Sequence, residues 1–414
     1  MERKRRKRNR VVCGAVFAIL LLYMTGCGAP EESSKGKITP TSRSCITVGF
    51  EMKESSEKDT VNDKDDEPEL SGTPESDTAG SGAELLELLE EMTLEEKVGQ
   101  MFLVRCPEDA LEGINRYHVG GFVLFAVDFD GETEVSVRKK IASYQESSDI
   151  PMIISVDEEG GSVVRVSKYR EFRDSAFLSP GELYEAGGME RIAEDTEEKA
   201  ELLLTLGINV NLAPVCDITD DKGAFLYARS FGGTAEETAD YVKTVVETAK
   251  NAGLGSVLKH FPGYGNNADT HEGIVYDSRS YETYTESDFQ PFLAGIEAGA
   301  GAVMVSHNIV QCMDAERPAS LSPEVHRILR EELSFDGVIL TDDLYMDAIQ
   351  DFTGTEAAAV AAVLAGNDML CCTDFEVQIP AVIAAVEDGR ISEEQMDASV
   401  LRILQWKDAL GLLE

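Results

Sequence analysis

The chain has 414 residues, 43% of them hydrophobic, which is enough to bury the core of one large domain or two small ones. Its formal net charge of −40 repels the phosphate backbone and argues against direct binding of nucleic acid. The eight cysteines include no CxxC pair, and we expect neither a metal centre nor an organic cofactor.

The first 27 residues have the pattern of a secretory signal. Seven Lys or Arg among the first ten residues precede an apolar run over 11–24, shorter than the ~20 residues that span a bilayer. The following Met24-Thr25-Gly26-Cys27 resembles a bacterial lipobox, whose cysteine becomes the lipidated first residue. We therefore expect an extracytoplasmic protein anchored to the cell membrane through Cys27. A transmembrane anchor, or a cysteine that merely lies near the cleavage site, is the alternative.

Residues 28–82 are rich in Ser, Thr, Gly, Glu, Asp and Lys and almost lack aromatic side chains. Such a segment cannot bury enough apolar surface to offset the entropy lost on ordering. The sequence predicts a disordered, acidic linker here and a single folded domain over 83–414, which we expect to be a monomer.

The folded part alternates short apolar runs with amphipathic helical patterns. The predicted strands are 101–105, 121–125, 152–156, 210–212, 256–259, 302–306, 338–341 and 368–371. Eight such units favour a (β/α)8 barrel of the TIM type, although a doubly wound open sheet gives the same local signals. Polar residues follow several of the runs, among them Asp217 and His307, and in a barrel these strand ends form one shared pocket.

The segment 259–273 follows one run and is dense in Gly, Pro and Asn, which predicts a loop. Asp269 and His271 are two residues apart and can face the same way in an extended segment. A carboxylate beside an imidazole orients the ring, as a general acid/base requires. We therefore take this pair as catalytic candidates rather than as a chance surface pair.

Two further runs end in carboxylates. Asp342 and Asp343 follow the apolar run 338–341, and one of them is expected to be a nucleophile for glycoside chemistry while the other caps the next helix. The residues alone do not say which is which. The other run is 152–156, which is followed by Asp157. Three residues later, Gly160-Gly161 is expected to let the backbone approach a ligand.

These segments together resemble glycoside hydrolase family 3 and, more narrowly, its single-domain β-N-acetylhexosaminidase branch. The resemblance covers most of residues 85–414. It rests on the motifs MTLEEKVGQM, DEEGGSVVR, NLAPVCDI, ARSFGG, KHFPGYG, DTH, TDDLYM and RILQWKDALGLLE, which occur in this order.

The resemblance implies a retaining hydrolase that removes terminal β-linked GlcNAc by double displacement. It implies that Asp342 is the nucleophile and that His271, held by Asp269, is the acid/base. The positions that match the sugar-binding residues are Asp157, Arg165, Arg229, Lys259 and His260. For the two arginines a salt bridge at the barrel rim is the alternative. Tyr264 stands where the branch often has His.

The expected substrates are GlcNAc-containing glycans, either cell-wall fragments or chitin oligosaccharides. Many β-glucosidases of the family add a second domain that supplies the acid/base. Since only a short sequence follows the last predicted strand, we expect the loop of Asp269 and His271 to perform that task. A glucosidase, a phosphorylase that uses the same site and a non-catalytic glycan-binding lipoprotein are the alternatives.

Overall fold

The computed structural model describes residues 78–353 and 355–413. Eight of its strands form one sheet: β1 Phe102–Arg105, β2 Gly121–Leu124, β3 Ile153–Val156, β4 Val210–Asn211, β5 Gly255–Phe261, β7 Ala302–Val305, β9 Val338–Thr341 and β10 Leu370–Cys372. Each of the eight predicted runs overlaps one of these strands, and the ends agree or differ by at most two residues. A separate pair, β6 Tyr276–Asp277 and β8 Ile309–Val310, was not predicted.

The sheet is a nearly closed parallel barrel. Its strands are ordered β10-β1-β2-β3-β4-β5-β7-β9, and each adjacent pair is parallel. A parallel bridge between Leu340 and Met369 then joins β9 to β10. Because the two edge strands meet, the barrel is confirmed and the open sheet is excluded.

Helices connect most of the strands and surround the barrel. They are α1 Thr78–Glu91, α2 Leu94–Gln100, α3 Ala110–Tyr117, α4 Glu134–Ser147, α5 Pro180–Leu206, α6 Ala235–Ala252, α7 Tyr281–Thr283, α8 Phe289–Ala298, α9 Pro323–Arg327, α10 Asp347–Thr353, α11 Thr355–Ala365, α12 Phe375–Glu387 and α13 Glu393–Ala409. Short 3-10 or π segments lie at Ala126–Phe129, Thr270–Glu272, Tyr284–Asp288, Ala319–Leu321 and Ile328–Glu332.

The helix starts follow from local sequence. Thr93 caps α2, because its hydroxyl accepts a hydrogen bond from Glu96 N while the Glu96 carboxylate accepts one from Thr93 N at 2.7 Å. The same Ser/Thr-x-x-Glu box begins α5 at Ser179 and α6 at Thr234. These boxes satisfy backbone groups that the first helical turn leaves unpaired.

The core lies inside the barrel and between the barrel and its helices. Strands β2, β3, β7 and β9 are buried along their whole length, which is why their apolar runs are continuous rather than alternating. This burial fixes the strands and leaves the loops at their carboxyl ends free to carry function.

The start of the folded part differs from the prediction. Helix α1 begins at Thr78, within the predicted linker and five residues before the predicted boundary at 83. Buried Leu85 and Leu89 anchor this helix, and extending an existing helix upstream costs little. The predicted signal peptide with Cys27 and residues 28–77 of the predicted linker lie outside the described residues. Over 78–353 and 355–413, none of the helices is both long and apolar enough to span a membrane.

Candidate active site

A cavity of about 510 Å³ opens at the carboxyl ends of the barrel strands. Seven of the eight residues predicted for sugar binding and catalysis line it: Asp157, Arg165, Arg229, Lys259, His260, His271 and Asp342. The eighth, Asp269, contacts His271 directly. The barrel thus brings together side chains from three strand ends and three loops, which is the arrangement expected of a binding pocket.

The floor of the cavity is a buried ionic network. The Lys259 ammonium is 2% exposed and lies 2.6 Å from Asp157 Oδ1 and 2.6 Å from Glu159 Oε1. Arg229 donates to both carboxylate oxygens of Glu159, at 2.7 and 2.9 Å. Arg229 therefore forms a salt bridge, as the alternative reading expected, but the bridge lies in the cavity and holds Arg229 in place beside Lys259.

This network sets the charges of its members. Burial raises the pKa of Glu159, but Lys259 and Arg229 outweigh burial and lower it to about 2. Burial lowers the pKa of Lys259, yet Asp157 and Glu159 outweigh it, and the net direction is upward. Both side chains stay ionised at neutral pH, so the floor presents fixed charges to a ligand.

His260 is held by a carboxylate that the sequence placed near the pocket without a role. Asp217 Oδ2 accepts a hydrogen bond from His260 N at 2.9 Å and lies 2.7 Å from His260 Nδ1. On the cavity side, Arg229 Nη2 lies 3.4 Å from His260 Nε2. Asp217 therefore fixes the orientation of the ring.

The loop after β5 presents His271 at the rim. Asp269 Oδ1 accepts from His271 N at 2.9 Å and lies 2.6 Å from His271 Nδ1, while 62% of the His271 side chain stays exposed. Buried Tyr264 anchors the loop, because its hydroxyl pairs with Thr270 at 2.6 Å and its N–H donates to Asp217. The free edge of the imidazole is thus oriented and accessible, as proton transfer requires.

The two adjacent carboxylates after β9 have different surroundings. Asp343 accepts hydrogen bonds from Thr373 Oγ1 at 2.5 Å and from Tyr345 N at 3.0 Å, so it ties the loop to the end of β10. Asp342 accepts one from Asp343 N at 2.9 Å and lines the cavity. Burial alone would raise the pKa of Asp342, but nearby histidines lower it overall, chiefly His307. The geometry therefore favours Asp342 for attack on a ligand.

His307 contacts the loop that carries Asp342 and Asp343. It is fully buried, its Nε2 donates to the Asp343 carbonyl at 3.0 Å, and its Nδ1 lies 2.7 Å from Ser320 Oγ. Burial lowers the pKa of His307 below its usual 6.5, so the ring is neutral at neutral pH and becomes a cation that stabilises the Asp342 carboxylate only at acidic pH. Sequence reasoning placed His307 among the strand-end residues but gave it no role, and Ser320 carried no signal.

The glycine pair beside Asp157 was interpreted wrongly. Gly160 and Gly161 have φ values of +105° and +60°, and a Cβ on Gly160 would lie 2.1 Å from the carbonyl oxygen of Leu178. A Cβ on Gly161 would lie 2.7 Å from Ser179 Cβ. The pair admits another segment of the same chain rather than a ligand.

Arg165 supplies a polar group without a protein partner. Its main-chain N–H donates to Glu158 at 2.8 Å, but its side-chain Nε is buried with no hydrogen-bond partner among the described residues. Among the described residues, Arg165 therefore does not form the salt bridge at the barrel rim that was the alternative for it. A buried donor of this kind is costly unless a ligand or water accepts its hydrogen bond.

A group of side chains that could ligate a metal lies outside this cavity. In residues 78–353 and 355–413, the group of three side chains that could ligate a metal is Glu96, His118 and Asp149, whose ligand atoms lie within 4.8 Å of one another. These three line a separate cavity of about 50 Å³.

Comparisons with known proteins agree with the motifs. The family model for the glycosyl hydrolase family 3 N-terminal domain matches residues 93–406 of this chain. Beta-hexosaminidase LpqI of Mycobacterium tuberculosis is 30% identical over 326 residues, which cover 75% of this chain and 82% of that protein. Beta-hexosaminidase A of Pseudoalteromonas piscicida is 28% identical over 332 residues, which cover 73% of this chain and 56% of that protein.

The structure also matches a solved structure described as a glycoside hydrolase family 3 beta-N-acetylglucosaminidase from Paenibacillus. The TM-score is 0.73 at 35% identity, and the match covers 78% of this chain and 64% of that one. The chain thus spans less than two thirds of this protein and of the Pseudoalteromonas protein.

Proposed function

The chain belongs to glycosyl hydrolase family 3, and we propose that it is a retaining exo-β-N-acetylhexosaminidase that removes terminal β-linked GlcNAc. The observation that carries this proposal is that an ionised Asp342 and an exposed, carboxylate-held His271 line the same cavity. Relatives named beta-hexosaminidase, and the similar structure described as a beta-N-acetylglucosaminidase, support the choice of sugar.

In the proposed mechanism, the Asp342 carboxylate attacks the anomeric carbon while His271 donates a proton to the departing glycosidic oxygen. A covalent glycosyl–Asp342 ester forms and the aglycone leaves as an alcohol. His271, now deprotonated, then takes a proton from water. That water attacks the same carbon and releases Asp342, so the product keeps the β configuration.

The charged floor would hold the terminal sugar during both steps. Asp157 accepts hydrogen bonds from hydroxyl groups, Lys259 and Arg229 donate to ring substituents, and the buried Glu159 holds these two cations in place. Because these groups already bind one another at 2.6 to 2.9 Å, little reorganisation is needed when a sugar enters.

We also propose that the enzyme is anchored outside the cytoplasmic membrane through Cys27 and acts on fragments of the cell wall. The basic start, the apolar run and Met24-Thr25-Gly26-Cys27 support the anchor. Incorporation of a labelled fatty acid into the wild-type chain, with none in a Cys27→Ser variant, is the expected result. Equal labelling of both chains would contradict the anchor.

Hydrolysis of p-nitrophenyl β-glycosides tests the activity. We expect turnover of the GlcNAc compound and little turnover of the glucose compound. Preference for the glucoside would contradict the substrate, and no turnover of aryl glycosides or of GlcNAc-terminated disaccharides would favour a binding protein. A His271→Ala variant should lose more activity on a disaccharide than on the aryl glycoside, because a sugar alkoxide leaves poorly without a proton.

A further inference from the structure

One wall of the cavity combines an aromatic ring with two guanidinium groups. Arg105 lies at the end of β1 and Phe125 follows β2, and the Arg105 guanidinium carbon is 4.9 Å from the centre of the Phe125 ring. The guanidinium of Arg165 lies 5.8 Å from the centre of the same ring. Stacking on Phe125 orients Arg105 without using its hydrogen-bond donors.

Arg105 differs from the cations of the floor. Lys259 and Arg229 are paired with carboxylates, whereas Arg105 forms no hydrogen bond or ion pair with another residue in the described part of the chain. Asp128 interacts electrostatically with Arg105, but its carboxylate accepts a hydrogen bond from Phe125 N at 2.7 Å. The donors of Arg105 are therefore available to a ligand.

The position of Arg105 points to the leaving part of the substrate. The buried network of Lys259 and Glu159 marks the closed end of the cavity, where a terminal sugar fits. Arg105 is exposed, and so is Tyr345, another lining residue, with 54% of its surface open. A sugar beyond the cleaved bond would leave the closed end and lie along these open side chains.

We infer that Arg105, held on Phe125, forms an anion subsite for a carboxylate on the leaving sugar, which rests on the proposed function. The ligand class is an N-acetylhexosamine that carries an ether-linked carboxylate, as MurNAc does. A planar guanidinium binds a carboxylate through two parallel hydrogen bonds. A chain of net charge −40 repels anions at long range, so an acidic aglycone gains most from such a local cation.

Two disaccharides that differ only in this group test the inference: GlcNAc-β-1,4-MurNAc and GlcNAc-β-1,4-GlcNAc. We compare kcat/KM for the full chain in detergent and for its Arg105→Gln variant. The variant should lose about tenfold on the acidic disaccharide and stay within about twofold on the neutral one. Arg105→Lys keeps the charge without the planar donors and should fall between them.

Arg116→Gln is the matched control. Arg116 also lies over an aromatic ring, with its guanidinium carbon 5.1 Å from the centre of the Tyr117 ring, but it is on α3 and does not line the cavity. Its substitution removes the same charge and should leave the ratio of the two kcat/KM values unchanged. A change equal to that of Arg105→Gln would show a general charge effect and overturn the subsite.

Other outcomes also test the anion subsite at Arg105. Equal losses on both disaccharides, or no loss on either, with an unchanged melting temperature, would overturn the subsite while leaving the hydrolase intact. If inorganic phosphate accelerates wild-type turnover and Arg105→Gln abolishes the acceleration, the subsite binds phosphate rather than the aglycone carboxylate. If the wild type cleaves neither disaccharide nor the aryl GlcNAc compound, the proposed function itself fails.

Discussion

A single carboxylate oxygen of Asp217 holds both the backbone and the ring of His260: Oδ2 accepts from His260 N at 2.9 Å and lies 2.7 Å from Nδ1. The other oxygen accepts from Tyr264 N at 2.8 Å, so the same side chain positions the start of the loop that carries His271. Asp217 therefore couples His260, a proposed sugar-binding residue, to the loop of the proposed acid/base without lining the cavity itself.

The substitution Asp217→Asn should impair this coupling. An amide must place its NH₂ group against either the two donors of His260 or the N–H of Tyr264, so one side loses its acceptor. We expect kcat/KM for an aryl GlcNAc glycoside to fall about 10- to 100-fold, mostly through a higher KM. Unchanged kinetics in a folded variant would show that Asp217 has only a structural role.

The two carboxylates after β9 should respond differently to the same isosteric change. Asp342→Asn removes the proposed nucleophile and should lower kcat about 1,000-fold or more. Asp343→Asn should retain most activity, because the Thr373 hydroxyl can rotate and accept from the new amide. Parallel assays with circular dichroism as a folding control measure this. Comparable losses in both variants would contradict the assignment.

Much of this site was predictable from the sequence, for a physical reason. The strands were found because continuous apolar runs are typical of strands buried on both faces, and parallel strands bring their following residues to one end. Asp157, Lys259 and Asp342 were therefore expected in one pocket, and they line one. The ends of the runs were less certain, since β5 continues to Phe261, two residues beyond its predicted end.

Pairings between distant residues were not predictable. Glu159 binds Lys259 and Arg229 across 100 and 70 positions of the chain, and no local pattern specifies such partners. The Gly160-Gly161 interpretation failed for the same reason, because the segment that approaches the pair, Leu178–Ser179, is identified only by the closed fold.

Acid should destabilise the protein partly through Glu159. Its pKa falls from 4.5 to about 2 on folding, so its contribution to the free energy of unfolding is complete above pH 4.5. It is lost as the pH falls towards 2 and amounts to about 3 kcal/mol. Chemical denaturation of the wild type and Glu159→Gln should show a difference that shrinks below pH 4.5. A difference that grows there would contradict this sign.

A buried lysine on α13 destabilises the folded protein when it is ionised, whereas ionised Glu159 stabilises it. Lys407 is fully buried, and its ammonium donates to Gln100 Oε1 at 2.6 Å. Burial lowers its pKa from 10.5 to about 7. The resulting penalty is absent above pH 10.5, grows as the pH falls to 7, and stays constant below that.

The variant Lys407→Met removes a charge penalty of about 5 kcal/mol at pH 7 and leaves Gln100 without one partner, at a cost of about 1 to 3 kcal/mol. We expect net stabilisation of about 2 kcal/mol or more at pH 7. The gain should shrink at pH 9.5. Urea denaturation at both pH values measures it, and destabilisation at pH 7 would contradict the account.

Covalent trapping tests the central claim most directly. A 5-fluoro GlcNAc fluoride forms the glycosyl–enzyme and slows its hydrolysis, because the fluorine destabilises the oxocarbenium-like transition state. After proteolysis, mass spectrometry should find one fluorinated sugar on the carboxylate of Asp342 in the wild type and none in Asp342→Asn. A label on Asp343, or normal turnover of the substrate without any trapped ester, would contradict a double displacement at Asp342.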